Sequence, residues 1–295
     1  MELIAGHTMG TPEYTVEEAM ELFAGIGLDG IEIVVQDGYK CGIPNYVDEA
    51  YLQKIKDAAE HNNMRIVCLT PYYCRFNDLD DAVRESDIEG VKRVIGYAGF
   101  LGAGYVRIYG GSFAQEELDE DGEKERRLVE AMKILGDAAA AKQITLVLED
   151  HFNTMTVTAR RAAEIVSRIN HPNVGILYDQ VNLVFVGGEE YEEAIELQKD
   201  YIRYVHVKDL IFKGDTREFR ASGVSHVNED ERIVSSRVVG EGIMDWKAIV
   251  ESLKIDYKVN WFDEDGSEYP IRVFFYKDEA IIALDSTGES LHKRG

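Results

Sequence analysis

In the stretch Tyr204-Val-His-Val-Lys208, aromatic, basic and aliphatic side chains alternate. A β-strand sends successive side chains to opposite faces, so Tyr204, His206 and Lys208 share one face while Val205 and Val207 share the other. Valines suit packing against helices, which turns His206 and Lys208 toward the inside of a sheet covered on both faces. Two earlier runs, Thr145-Leu-Val-Leu-Glu149 and Gly175-Ile-Leu-Tyr-Asp179, are short, apolar and stop on a carboxylate. Three consecutive strands therefore bring Glu149, Asp179 and His206 to, or close to, their C-terminal ends.

Outward from this core, short β-like runs alternate with amphipathic helical patterns along the whole chain. Further strands are expected at Glu2–Ala5, Gly30–Val34, Arg65–Leu69 and Tyr105–Tyr109, with an eighth over Tyr257–Asp263. Between them, Leu128, Met132, Leu135 and Ala139 recur at three- and four-residue steps, which places them on one buried helical face. Ala162, Ile165 and Ile169 do the same. Thr15 with Glu18 three residues later has capping-box spacing and marks the start of the first helix.

Strands alternating with helices predict a parallel sheet. A closed barrel and an open doubly wound sheet both fit that count. No G-x-G-x-x-G follows the first strand, so an open dinucleotide-binding sheet loses its usual support. The fold expected is a (β/α)8 TIM barrel, occupying residues 1–295 as a single domain. Two irregular regions, Gly38–Asp48 and a long loop at 211–239, each follow a strand, where such barrels carry functional loops.

Composition narrows the function classes. The chain has 295 residues, 45% of them apolar, enough for one large core. Its net charge of −23 and lack of a Lys/Arg-rich cluster argue against nucleic acid and anionic membrane as partners. The N-terminus carries no signal-peptide pattern, and no run is long and apolar enough to span a membrane. The three cysteines fit no paired spacing. A reduced, cytoplasmic setting is expected.

Taken singly, each candidate has an ordinary explanation: a strand-end carboxylate caps a helix, and an in-strand histidine is a satisfied core residue. Three in neighbouring strands are harder to explain so, because several buried polar groups need partners. An imidazole with carboxylates makes a hard, oxygen-rich site for one divalent ion, Mn²⁺ foremost, with Mg²⁺, Co²⁺, Fe²⁺ or Zn²⁺ as alternatives.

The ordered pieces Leu148-Glu149-Asp-His-Phe, Asn173-Val-Gly-Ile-Leu-Tyr-Asp179, Tyr204-Val-His206-Val-Lys-Asp209 and Val239-Gly-Glu241-Gly-Ile-Met-Asp-Trp246 resemble the xylose isomerase-like TIM barrels. Asp29-Gly-Ile-Glu32 and Val106-Arg107-Ile-Tyr-Gly110-Gly111 extend the resemblance to the first half. That family holds sugar isomerases and epimerases, inosose dehydratases and apurinic endonucleases. The resemblance implies a fourth ligand at the end of strand eight. Counting from Tyr257 gives Glu264, with Glu268 competing, since both glycines of the usual lead-in are missing and residues 265–295 form an atypical tail.

It further implies a metal-dependent isomerase or epimerase acting on a ketose or polyol-derived ketone through an enediolate, with Glu149 and Glu264 moving protons from opposite faces. Lys208 is a candidate to steady the enediolate, or else an ion-pair partner of a ligand carboxylate. His7, Arg107, His151 and Asn182 are candidate substrate contacts, although Arg107 is equally suited to neutralising Glu149. Glu32 fits a barrel layer, and Glu241 a loop before a helix near Asp245. A lyase of the inosose-dehydratase or C-glycoside type is the alternative. Ketose 3-epimerases carry histidine where Asn182 stands, and the endonucleases carry several histidines that are missing here. A non-catalytic sugar-binding barrel would follow if strand eight supplied no ligand. Related barrels imply a homo-oligomer, with the long loop available to a partner subunit.

Overall fold

A computed structural model describes residues 3–114, 117–186, 189–212, 234–253 and 281–284. Along the chain run β1 (Ile4–His7), α1 (Val16–Gly25), β2 (Gly30–Val35), a two-residue β3 (Gly42–Ile43), α2 (Glu49–His61) and β4 (Arg65–Pro71). Then come α3 (Asp81–Leu101), β5 (Tyr105–Tyr109), α4 (Glu123–Ala140), β6 (Thr145–Glu149), α5 (Ala159–Ile169) and β7 (Val174–Tyr178). The last elements are α6 (Gln180–Val186), α7 (Tyr191–Gln198), β8 (Ile202–Val207), β9 (Asp209–Phe212), β10 (Val234–Arg237), α8 (Trp246–Ser252) and β11 (Ile281–Leu284).

Eight of the strands close into a parallel ring. The order runs β1, β11, β8, β7, β6, β5, β4, β2, and β2 returns to pair with β1. β3 lies outside the ring beside β2, and β9 and β10 make a separate antiparallel ribbon at the base of the long loop. The chain is thus a TIM barrel, with every ring strand ending at the same rim.

Two apolar bodies hold it together. The larger lies between ring and helices and includes Leu146, Leu148, Ile176, Val205 and Val207. The smaller fills the ring with Ala5, Val67, Cys68, Val147, Leu177 and Tyr204. Val205 and Val207 therefore face the helices while Tyr204 and His206 face inward, as the alternation in β8 predicts. On α4, Leu128, Met132, Leu135 and Ala139 are fully buried, each larger side chain contributing roughly 1.5–3 kcal/mol. Thr15 caps α1 reciprocally: Glu18 N–H donates to Thr15 Oγ1 at 3.2 Å, and Thr15 N–H donates to Glu18 Oε2 at 2.7 Å.

Two differences from the sequence expectations concern the ring. β1 sits two residues later than Glu2–Ala5, which brings His7 into the strand. The place between β8 and β1 is taken by Ile281–Leu284, with Ala283 level with His206 on one side and with Ala5 on the other. The eighth strand expected at Tyr257–Asp263 lies outside the described residues, as do Glu264 and Glu268. A short apolar run such as Ile281-Ile-Ala-Leu284 has no periodicity to mark it, whereas the resemblance directed attention to the earlier stretch.

Candidate metal centre

Glu149 ends β6, Asp179 follows β7 and His206 lies in β8, and the three meet inside the rim, all buried. His206 Nδ1 is 3.4 Å from Glu149 Oε1 and 3.6 Å from Asp179 Oδ2. One atom from each lies within 4.8 Å of the others, so one ion can touch all three. His206 Nδ1 itself is buried without a hydrogen-bond partner. An orphaned ring nitrogen facing two carboxylates suits a divalent cation.

Each carboxylate carries its own cationic neighbour. Lys208 Nζ stands 2.6 Å from Asp179 Oδ2 and 3.8 Å from Glu149 Oε1. Arg107 Nε is 3.4 Å from Glu149 Oε2, and its guanidinium lies 4.3 Å from the centre of the Tyr109 ring and 5.2 Å from that of Tyr72. Arg107 also donates to the Pro71 carbonyl and is only 3% exposed. Of the two roles open to it, neutralising Glu149 is the one its geometry serves.

Asn182 is tied into the same group. Its side-chain amide donates to Glu149 Oε1 at 3.2 Å and to the Asp150 carbonyl at 2.8 Å, while its backbone N–H donates to Asp179 Oδ1 at 3.0 Å. His151 is half-buried, packs edge-on to Tyr109 at 4.7 Å, and its Nδ1 meets the Phe152 carbonyl at 2.6 Å. His7 sits on the opposite wall, with Nε2 3.4 Å from Glu32 Oε1.

Charge states follow from these neighbours. Burial would raise the Glu149 carboxyl, but Arg107, His206, His151 and Lys208 together hold it well below its ordinary value. Asp150, next in the chain, behaves oppositely: burial pushes it well up, and the hydrogen bond from Gln198 does not compensate. The environment thus pushes two adjacent carboxyls in opposite directions, Glu149 down and Asp150 up. Burial disfavours the His206 cation, yet Glu32, Asp179 and Glu149 more than offset this and raise its pKa well above normal. That anionic surround is the field a metal ion would meet. Burial lowers the pKa of His151.

Several residues were not singled out from sequence. Thr156 donates to the Glu149 carbonyl at 2.7 Å and so fixes the end of β6. Its side chain packs on the Cα of Gly110, where a Cβ would overlap it, which explains the glycine there. Tyr204 donates to Glu32 Oε2 at 2.7 Å across the ring. Tyr39, Tyr72 and Tyr109 form an aromatic wall at the rim. Glu241 is exposed, and Asp245 caps α8 through the Ala248 N–H. No described helix is long and apolar enough to cross a membrane.

The model of the xylose isomerase-like TIM barrel family matches residues 20–263, and the chain belongs to that family. Inosose dehydratase of Geobacillus thermodenitrificans (strain NG80-2) is 28% identical over 160 residues, 54% of this chain and 50% of that protein. The chain thus spans about half the length of the curated relatives it matches. A different similarity is short and dense: 51 residues, 17% of the chain, are 53% identical to 13% of the putative RNA methyltransferase YpsC of Bacillus subtilis (strain 168). Among solved structures, the IOLI protein with a bound zinc atom superposes with a TM-score of 0.72 at 18% identity, covering 99% of this chain and 91% of that one. D-psicose 3-epimerase in the presence of D-fructose gives 0.66 at 16%, covering 96% and 84%. These two likenesses speak for the fold.

Proposed function

We propose that this barrel is a divalent-metal-dependent enzyme that removes a proton from the carbon beside the carbonyl of a polyhydroxy ketone. The observation that carries this is the meeting of Glu149, Asp179 and His206 around an unpartnered His206 Nδ1. These three would hold the ion, with Mn²⁺ the first choice and Glu264 the fourth ligand. Such an ion would supply Lewis-acid charge that eases loss of a proton from the carbon beside the carbonyl.

The protein's own groups do the rest. Glu149, kept ionised, is the base that takes the proton. Arg107 and Lys208, together with a divalent ion, would offset the carboxylates gathered here, so that oxyanion charge can develop on a substrate without meeting an uncompensated anionic pocket. Lys208 is the more exposed of the two and the better placed to meet a substrate oxygen. Asn182 keeps Glu149 in register, and the Tyr72 and Tyr109 rings hold the Arg107 guanidinium beside it.

Returning the proton to the opposite face of the same carbon, with Glu264 as second base, makes an epimerase; returning it to the neighbouring carbon makes an isomerase, for which one base suffices. A second reading has the same first step followed by loss of a β-hydroxyl, giving a dehydratase. The similarity to inosose dehydratase favours it. One experiment tests the shared step. Metal-stripped protein, with and without added Mn²⁺, is incubated in D₂O with ketoses and inososes. Metal-dependent deuterium uptake beside the carbonyl, lost in Glu149→Gln, is expected. Product identity then separates isomer from dehydrated enone. Metal-loaded protein that exchanges no proton in any of them would remove the reading.

A further inference from the structure

Glu32 in β2 is completely buried in the barrel interior, and no role in proton transfer requires it. Its carboxylate is nevertheless the meeting point of three side chains. Tyr204 donates to Oε2 at 2.7 Å, His206 Nε2 lies 3.2 and 3.3 Å from the two oxygens, and His7 Nε2 lies 3.4 Å from Oε1. A carboxylate only accepts hydrogen bonds, so the ring nitrogens facing it carry hydrogens. For His7 this is fixed independently: the Met9 backbone N–H donates to His7 Nδ1 at 3.0 Å, which leaves the ring hydrogen on Nε2.

We propose that Glu32 is a positioning residue for the metal centre, fixing the His206 ring so that the Nδ1 lone pair faces Glu149 and Asp179. With Nε2–H given to Glu32, the neutral imidazole that a metal requires carries its lone pair on Nδ1, the nitrogen buried without a hydrogen bond, and metal binding would release any proton held there. A metal-binding histidine whose other nitrogen donates to a carboxylate is fixed in both tautomer and orientation. The backbone supports the aim. The β2–β4 register shifts between Ile31 and Glu32, and the β7–β8 register shifts between Ile176 and Leu177, opposite Tyr204. Such irregularities re-aim side chains near functional sites.

His7, Glu32 and His206 also bring ligand atoms within 4.8 Å of one another. An ion there would use Nε2 and displace the hydrogen bonds from His206 and His7. The proposal assigns that side of the ring to hydrogen bonding and the other side to metal.

The inference rests on the metal-dependent reading above, and its test separates the two. Co²⁺ is titrated into metal-stripped wild type, Glu32→Gln and His7→Ala, following visible absorption and heat. Affinity in Glu32→Gln is expected to fall roughly 10–100-fold with one equivalent still bound, and the metal-free melting temperature to hold. Affinity within about twofold of wild type, where second-sphere partners normally matter, overturns the proposal and leaves the function intact. Loss of the equivalent in His7→Ala also overturns it, because the ion would then occupy the other triad. Wild type that takes up no metal sinks both. Should Glu32→Gln fail to fold, ¹⁵N-histidine spectra of Zn²⁺-loaded wild type decide: Nδ1 metal-bound and Nε2 protonated supports the proposal, and the reverse overturns it.

Discussion

Asp209, one residue beyond Lys208, gathers backbone N–H groups from Leu210, Gly240, Gly242 and Met244 at 2.9–3.2 Å. It therefore ties the turn before α8 to the end of the strand that carries His206. Gly242 is glycine because a Cβ would overlap the Asp209 carboxylate and crowd the Leu210 carbonyl. Gly242→Ala should cost about 1–3 kcal/mol of stability in chemical denaturation, since backbone has to move. An unchanged midpoint would mean the turn relaxes freely. At this scale the sequence was informative about Glu149, Asp179 and His206, because strand alternation and strand ends are local patterns. It placed Glu32 in a barrel layer, where it lies, but did not show its partners. The Tyr204–Glu32 bond joins residues 172 positions apart across the barrel, and no local pattern encodes a contact of that kind. Arg107 was left between two roles for the same reason, as its partners come from other strands.

Helix starts and buried faces were the most legible elements. The Thr15–Glu18 capping box forms with both hydrogen bonds, and α4 and α5 bury the faces that their periodicity marks. Thr15→Ala should cost about 1 kcal/mol at neutral pH, read from thermal or denaturant unfolding. The Glu18 half of the box has a pH signature. The Thr15 backbone N–H first, and Lys40 second, hold the Glu18 carboxyl below its ordinary value of 4.5. A lowered folded value means stabilisation present above pH 4.5 and lost as pH falls through the folded pKa. Glu18→Gln should accordingly destabilise the protein at pH 7 and make progressively less difference in acid. A gap between wild type and Glu18→Gln that stays constant down to strongly acid pH would contradict the capping role. The strand that closes the ring was the least legible element, because a four-residue apolar run carries no period and the family pattern pointed elsewhere.

At the scale of the molecule, the family match ends at residue 263 while the ring closes on Ile281–Leu284. The strand that completes this barrel thus comes from beyond the matched region. Ending the chain at residue 263 removes β11 and leaves β1 and β8 with unpaired edges, which invites association. Loss of cooperative unfolding together with aggregation is the expected result of that truncation. A truncated protein that unfolds with wild-type cooperativity would instead place the eighth strand within Tyr257–Asp263. Charge and composition carry no information on substrate. The central claim is that Glu149, Asp179 and His206 hold one divalent ion at the mouth of the barrel. Its most direct test is the metal content of wild type and His206→Ala, each purified without chelator and then reconstituted with Mn²⁺. The account predicts close to one equivalent in wild type and almost none in the variant. Equal metal in both, or none in wild type after reconstitution, would contradict it.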